Sequence, residues 1–187
     1  MRPLQLTAAL GACLDAHRPA FVWGPPGVGK SDLVEDLAKS QERELRDVRL
    51  NLMDPTDIKG FPVPNTAEGF MQWLPADFLP PMQVKRDVKV TSKKTETQLV
   101  ANDTKGILFL DELNQAPPSV QAAAYQLLLG RRVGNYILPD GWDLMAAGNR
   151  ESDRANAQRM PSALSLRLVH LDYDVHLDDW CDWALKQ

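Results

Sequence analysis

One eight-residue run constrains this chain more than any other feature of its sequence. The run Gly24-Pro25-Pro26-Gly27-Val28-Gly29-Lys30-Ser31 matches the Walker A pattern G-x-x-x-x-G-K-[ST] at every required position. The apolar residues 20–23 before it predict a strand, and residues 31–39 after it predict a helix with its apolar side chains on one face. Strand, glycine-rich loop and helix form the context that the motif requires.

The spacing of this motif suits a loop that binds phosphate. Gly24, Gly27 and Gly29 let the backbone turn tightly, so that successive N–H groups and the helix N-terminus face a phosphate. Lys30 is predicted to reach the β- and γ-phosphates, and the hydroxyl of Ser31 to hold Mg²⁺. We therefore predict that all eight residues bind the nucleotide. The complete match disfavours the alternative, a glycine-rich turn with an exposed lysine.

A second motif begins at the apolar run 107–110, which predicts a buried central strand. Asp111 and Glu112 follow at its carboxyl end, where open parallel sheets bind their ligands. Asp111 is predicted to hold Mg²⁺ through a water molecule, and Glu112 to polarise the water that attacks the γ-phosphate. The alternative is a strand that merely ends in an acidic turn, which the nearby Walker A motif disfavours.

A third candidate catalytic residue, Asn149, follows the predicted buried strand 144–147. This strand and the one before Asp111 should end at the same edge of the sheet. There the amide of Asn149 could orient the attacking water or contact the γ-phosphate. An isolated asparagine would be read as an ordinary turn residue, but its coincidence with the two other motifs favours a catalytic role.

The remaining pattern predicts a three-layer α/β/α domain with a five-stranded, mainly parallel sheet and right-handed crossovers. A charged connection, 41–46, leads to a predicted second strand at 48–52. A helix that ends at Gly130 precedes a predicted hairpin at about 131–142, and the last strand is predicted at 168–171.

An irregular segment at about 53–105 is predicted to be an insertion with short elements of its own, because a structureless loop of that length is unusual in a compact domain. It carries many prolines and the aromatic residues Phe61, Phe70, Trp73 and Phe78. These rings either contact a partner or a pore, or anchor the segment to the core; the sequence leaves both readings open. The lysine-rich part, 85–97, is predicted to be a mobile loop or a small helix.

Composition limits the partners that the chain can have. The net charge is −4, with 44% apolar and 25% charged residues, which are ordinary globular values without a general basic face. Nucleic acid is therefore not indicated as a partner, although a local patch stays possible, and no membrane is expected. Cys13 and Cys181 lack metal-ligand spacing, and no export signal is evident, so we expect a cytoplasmic protein.

The three motifs together resemble the AAA+ ATPases, and more closely their MoxR-type, dynein-related branch. The Walker A run, the Walker B run 107–114 and the sensor 1 run 146–150 occur in the order of that family. The run 54–60 and the predicted hairpin are similar to the helix-interrupting insertion and the pre-sensor hairpin of the branch. The resemblance implies ATP and Mg²⁺ as cofactors, a homo-oligomeric ring, a hexamer once the lid is present, and a protein client or adaptor.

The segment 160–168 resembles the part of AAA+ proteins that carries the arginine finger. The resemblance implies that Arg167 projects into the nucleotide site of a neighbouring subunit, which requires a head-to-tail interface. Arg150, Arg154 and Arg159 lie in the same stretch and remain alternatives for this role.

The chain departs from the family near its end, where AAA+ proteins continue into a helical lid. Residues 177–187 suffice for one helix with a single apolar stripe. We expect residues 1–175 to form the ATPase core and residues 176–187 to begin a truncated lid. Weaker nucleotide retention, weaker activity and poorer ring formation should follow.

The predicted function is Mg²⁺-dependent ATP hydrolysis that drives a ring-forming, chaperone-like remodeller of proteins or protein complexes. Three alternatives stay open: a P-loop kinase, a GTP-using motor of a nucleic-acid restriction system, and a nucleotide-gated assembly adaptor with little turnover. The Walker motifs do not by themselves distinguish adenine from guanine.

Overall fold

Five α-helices, three short 3₁₀ helices and eleven strands make up the regular structure of the computed structural model, which describes residues 1–91, 94–153, 160–174, 176, 178–179 and 181. In chain order the α-helices and strands are α1 (Pro3–Asp15), β1 (Ala20–Trp23), α2 (Lys30–Ser40), β2 (Glu44–Arg49), α3 (Pro55–Lys59), β3 (Phe61–Asn65), β4 (Phe70–Leu74), β5 (Gln83–Thr91), β6 (Lys94–Ala101), β7 (Gly106–Asp111), α4 (Pro118–Gly130), β8 (Arg132–Val133), β9 (Tyr136–Ile137), β10 (Trp142–Gly148), α5 (Ser162–Ser165) and β11 (Val169–Asp172).

A parallel sheet of five strands lies at the centre, in the order β11-β1-β10-β7-β2. The three inner strands are short apolar runs, and every residue of β7 and β10 is buried. Strands buried on both faces need this composition because helices cover each side. The predicted five-stranded α/β fold is confirmed, and the sheet is parallel throughout.

Alternate residues of the inner strands face two separate hydrophobic clusters, as the two-residue period of a strand requires. One cluster joins the sheet to α4 and includes Phe21, Leu108, Leu110, Leu144 and Ala146. The other joins it to α1 and α2 and includes Val22, Ile107, Phe109, Met145 and Ala147. These two clusters are the interfaces of the predicted three-layer arrangement.

The second strand differs from its prediction. β2 is Glu44–Arg49, and the residues predicted to continue it, 50–52, form a short 3₁₀ helix instead. β2 is an edge strand that pairs only with β7 in the sheet. One of its sides has no neighbouring strand, and such strands tolerate charged residues. Residues 44–46, with the charged Glu44 and Arg46, therefore belong to the strand and not to the connection before it.

The segment between β2 and β7 contains α3 and two antiparallel hairpins, β3–β4 and β5–β6. The aromatic residues divide between the two readings that the sequence left open. Phe61, Phe70 and Trp73 on the first hairpin are 68%, 54% and 41% exposed, whereas Phe78 packs partly buried against the core.

The hairpin β5–β6 corrects the prediction of a mobile loop or small helix at 85–97. The charge run there also contains β-branched residues such as Val88, Thr95 and Thr97. These residue types favour extended backbone, and the sheet pairing follows their preference despite the lysines.

The hairpin predicted at about 131–142 is present as β8–β9, with Gly134 and Asn135 in its turn. The helix predicted at 177–187 lies outside the described residues except for residues 178, 179 and 181, which are helical. None of the described helices combines the length and the apolar character that crossing a membrane demands.

Candidate active site

The glycine-rich loop connects the carboxyl end of β1 to the first residue of α2, which is Lys30. Gly27 and Gly29 have φ angles of 74° and 83°, a backbone conformation that side chains with a Cβ rarely adopt. The Nζ atom of Lys30 lies 2.9 Å from the carbonyl oxygen of Gly24 and 2.8 Å from that of Pro25. The lysine side chain therefore folds back over the loop that its own motif forms.

Lys30 also joins the loop to the end of β10. Its Nζ atom donates a hydrogen bond of 2.9 Å to Oδ1 of Asn149, and both residues are buried. Burial lowers the pKa of Lys30, and the neighbouring carboxylates of Asp111, Asp153 and Glu112 oppose that shift. A partly desolvated ammonium beside a loop of backbone N–H groups forms a binding site for a phosphate, whose oxygens accept their hydrogen bonds.

Ser31 and Asp111 come together at the same edge of the sheet. The hydroxyl of Ser31 donates a hydrogen bond of 3.0 Å to Oδ2 of Asp111, which is 8% exposed. One hydroxyl and one carboxylate fit Mg²⁺, which prefers oxygen ligands and takes its others from water and phosphate. Within the described part of the chain, no cluster of three or more His, Cys, Asp or Glu side chains could hold a metal ion by itself.

Glu112 has an unusual position for a glutamate. Its φ angle is 55°, in the left-handed region, and its backbone N–H donates a hydrogen bond of 2.8 Å to Oδ1 of Asp111. Among the described residues, its Oε2 is the one buried side-chain oxygen or nitrogen that lacks a hydrogen-bond partner. A buried carboxylate oxygen without a donor is costly, so its natural complement is a water molecule or a ligand.

Asn114 is part of the site, although the sequence assigned it no role. It is 1% exposed, and its Nδ2 atom donates a hydrogen bond of 2.7 Å to the backbone carbonyl of Asn149. Its Oδ1 atom accepts one of 3.2 Å from the N–H of the same residue. The only signal of this role in the sequence was a polar residue three positions after Asp111, in what proves to be a buried turn.

A cavity of about 380 Å³ adjoins the glycine-rich loop, between the loop, α1, α2 and the segment after β11. It is bordered by Gly27 and Gly29 of the loop, by Thr7 of α1, by Asp32 of α2 and by Tyr173 after β11. Tyr173 is 8% exposed and packs beside Gly24, where a Cβ would lie 3.3 Å from the Cβ of Tyr173. Sequence reasoning also missed this residue, since nothing in the local pattern distinguishes it.

Residues 19–168 match the AAA domain family, in its dynein-related subfamily. The chain belongs to this family. Midasin of Giardia intestinalis is 27% identical over 187 residues, which are 95% of this chain and 3% of that protein. The resemblance to AAA+ ATPases is thereby confirmed, and this chain spans a small fraction of that relative.

Solved structures have the same fold. A structure from Cytophaga hutchinsonii has a TM-score of 0.59 and 18% identity, covering 96% of this chain and 48% of that one. A RuvB variant from Thermotoga maritima has a TM-score of 0.52 and 18% identity, and the match covers 90% of this chain and 43% of the RuvB chain. At such identities the likeness extends to the fold and no further.

Arg167 lies at the far end of the AAA domain from the glycine-rich loop. It is exposed and precedes β11, whereas the loop follows β1, the parallel neighbour of β11. β1 is four residues long and so separates the two ends by about 13 Å, beyond the reach of the arginine side chain. Arg167 and His17 border a cleft of about 580 Å³ at this end.

The other candidate arginines divide into two groups. Arg154 and Arg159 lie outside the described residues. Arg150 is engaged within its own chain, where its guanidinium bonds to Asp172 and Asp174. Of the candidates that the structure describes, Arg167 is the one that projects from the end opposite the loop.

Proposed function

We propose that this AAA domain binds ATP at the glycine-rich loop and hydrolyses it with the help of Mg²⁺. The observation that carries the proposal is the convergence of three chain segments on one spot. Lys30 contacts Asn149, and Ser31 contacts Asp111, while Glu112 beside them keeps a buried oxygen without a partner. Each of these groups matches a need of phosphoryl transfer to water.

The proposed roles follow from the chemistry of each group. The N–H groups of residues 24–31 receive the phosphates, and Lys30 leaves its carbonyl partners to reach the β- and γ-phosphates. Ser31 and Asp111 hold Mg²⁺, which supplies charge stabilisation to the phosphate oxygens. Glu112 accepts the proton of the attacking water, and Asn149 orients that water or contacts the γ-phosphate.

We assign the base of the nucleotide to the cavity of about 380 Å³ next to the loop. Its wall contains Asp32 and Asp36, whose carboxylates accept hydrogen bonds from the amino groups of either purine. Competition between ATP and GTP for binding to the unmodified protein therefore decides the base. A clear preference for GTP would favour the GTP-using motor that the sequence left open.

We further propose that the domain acts in a head-to-tail ring that couples hydrolysis to the remodelling of a protein or protein complex. Support for the ring comes from Arg167, which lies too far from the loop of its own chain to serve it and suits the site of a neighbour. Support for a protein partner comes from the exposed Phe61, Phe70 and Trp73 on one hairpin.

The test of hydrolysis is phosphate release from ATP without any added acceptor, compared between the unmodified protein and Glu112→Gln. We expect turnover to fall by about 10²- to 10⁴-fold in this variant, because glutamine cannot accept the proton. ATP binding should be preserved. The matched control is Glu35→Gln, an exposed position on α2 that pairs with Lys39.

Each alternative function predicts a different result. No turnover by the unmodified protein, with intact binding, would favour a nucleotide-gated adaptor. Turnover only after addition of an acceptor molecule would favour a kinase. Equal turnover of Glu112→Gln and the unmodified protein would remove Glu112 from the proposed mechanism.

A further inference from the structure

The guanidinium of Arg150 links the end of β10 to the segment that follows β11. Its Nε atom donates a hydrogen bond of 3.0 Å to Oδ1 of Asp172, and its Nη2 atom donates one of 3.1 Å to Oδ1 of Asp174. Nη2 also lies 3.4 Å from the backbone carbonyl of Tyr173. One side chain thus contacts three consecutive residues of the segment 172–174.

The backbone of Arg150 is held as well. Its N–H donates a hydrogen bond of 2.9 Å to Oδ2 of Asp153, in the short 3₁₀ helix after β10. Asn149, the residue before it, contacts Lys30 on one side and Asn114 on the other. The backbone of Arg150 is therefore held in place next to Asn149, at the end of the site where the phosphates are proposed to bind.

The segment that Arg150 contacts is a wall of the nucleotide site. The N–H of Tyr173 donates a hydrogen bond of 2.7 Å to the carbonyl of Trp23, the residue before Gly24. The side chain of Tyr173 borders the cavity of about 380 Å³, together with Gly27 and Gly29. A displacement of this segment would move one side of the cavity away from the glycine-rich loop.

The solvent exposure of these side chains limits how much the ion pairs of Arg150 contribute to the stability of the fold. The side chains of Arg150, Asp172 and Asp174 are 29%, 64% and 53% exposed, so solvent screens their attraction and their contribution to global stability is small. Their geometry is nevertheless specific, because the planar guanidinium has donors fixed in a fork. Such a contact fixes the position of a segment more than it stabilises the fold.

We propose that Arg150 is a positioning residue that holds the segment 172–174 against the glycine-rich loop and thereby shapes the base side of the nucleotide site. This inference rests on the proposed function of that site. Arg150 joins the phosphate end, at Asn149, to the wall at Tyr173. It acts through that wall and makes no contact with the γ-phosphate.

The test compares the affinities of fluorescent ADP and ATP analogues for four variants by equilibrium titration. Arg150→Ala and the double variant Asp172→Asn/Asp174→Asn each remove the contact from one side. We expect each to weaken ADP and ATP binding alike, by about 3- to 30-fold, since the contact consists of two exposed pairs. The double aspartate variant should be affected at least as strongly, because Asp174 also pairs with the N-terminal amine of Met1. Arg150→Lys keeps the charge without the fork and should fall between Arg150→Ala and the unmodified protein.

Arg132→Ala is the matched control, because this arginine is exposed on β8, outside the cavity and the segment. It should bind both nucleotides like the unmodified protein. Thermal unfolding of each variant without nucleotide separates affinity from folding, and the transition temperatures should stay close together.

Two results would overturn the inference while leaving the proposed function intact. One is weaker binding of ATP alone in Arg150→Ala, with normal binding in the double aspartate variant, which would indicate a direct contact with the γ-phosphate. The other is normal binding in all variants. Failure of the unmodified protein to bind either nucleotide would overturn the proposed function, and this inference with it.

Discussion

Asn114 holds the backbone of Asn149 from both sides, accepting from its N–H at 3.2 Å and donating to its carbonyl at 2.7 Å. The two residues follow neighbouring parallel strands, β7 and β10. This pairing extends the contact between the two strands past their ends. The side chain of Asn149 is thereby directed at Lys30 by a residue whose hydrogen bonds go to the backbone of Asn149.

Replacement of Asn114 should therefore affect both stability and turnover. Asn114→Ala leaves a buried N–H and a buried carbonyl without partners, at a cost of about 1–3 kcal/mol for each group. We expect a lower free energy of unfolding by chemical denaturation, and slower ATP turnover because Asn149 loses its fixed position. Asn135→Ala is the control, in the exposed hairpin turn. Unchanged turnover in Asn114→Ala would separate this contact from catalysis.

Gly148 occupies a position where no larger residue fits. A Cβ there would lie 2.2 Å from Oδ1 of Asn114 and 2.7 Å from Cζ of Phe21, and both neighbours are buried. Gly148→Ala should lower the free energy of unfolding by about 1–3 kcal/mol through overpacking. Gly11→Ala, inside α1 and with 3.6 Å to its nearest neighbour, should be neutral or stabilising by up to about 1 kcal/mol. Equal effects of the two substitutions would contradict this account.

The inner strands could be predicted because burial on both faces requires short apolar runs, as in 107–110 and 144–147. Edge positions could not be predicted equally well. β2 carries Glu44, Arg46 and Asp47, since one of its sides is free of a neighbouring strand, and its start was therefore placed too late. The hairpin β5–β6 was missed for a similar reason, because exposed strands need no apolar alternation.

Local motifs identified the residues of the candidate site, but not the contacts that position them. Lys30 lies within hydrogen-bond reach of Asn149, and Ser31 within reach of Asp111. Asn114, Arg150 and Tyr173 are brought to the site by the register of the parallel strands. That register pairs Trp23 with Gly148 on one side and with Asp172 on the other. Register is set by the whole sheet and leaves no trace in a short run of residues.

Lys30→Ala should abolish most nucleotide binding. In the proposed site the ammonium would donate charge-assisted hydrogen bonds to the phosphates, and the loss of such bonds corresponds to about 10- to 100-fold in affinity. Lys39→Ala is the control on the same helix, because its side chain is 68% exposed and pairs with Glu35. Titration with a fluorescent ATP analogue measures both variants. Similar affinities for the two would contradict the proposed role of Lys30.

The dependence of binding on Mg²⁺ should reside in Asp111. In the unmodified protein, ATP affinity should be higher with Mg²⁺ than in a chelator, because Ser31 and Asp111 would hold the ion that neutralises the charge of the phosphates. Asp111→Asn removes the negative charge and keeps the size of the side chain, so the ratio of the two affinities should fall toward one. Asp77→Asn, at an exposed position in the segment before β5, should keep the ratio of the unmodified protein. An unchanged ratio in Asp111→Asn would place the ion elsewhere.

Arg167 and Glu112 should complement each other between subunits. In the proposed ring, each catalytic unit would combine Glu112 from one chain with Arg167 from its neighbour, since the two lie at opposite ends of the sheet in one chain. Arg167→Ala alone should lower turnover by about 10³-fold or more, as expected for a trans-acting arginine, with ATP binding retained. Arg18→Ala is the control, at the same end of the domain and exposed.

Mixing the two inactive variants provides the decisive measurement. In an assembly of Arg167→Ala and Glu112→Gln chains, some interfaces combine an intact Glu112 with an intact Arg167, so part of the turnover should return. The recovered rate should peak near equal amounts of the two variants, because mixed interfaces are then most frequent. If Arg167 acted within its own chain, no mixture would exceed the rate of the separate variants, and the head-to-tail arrangement would lose its basis.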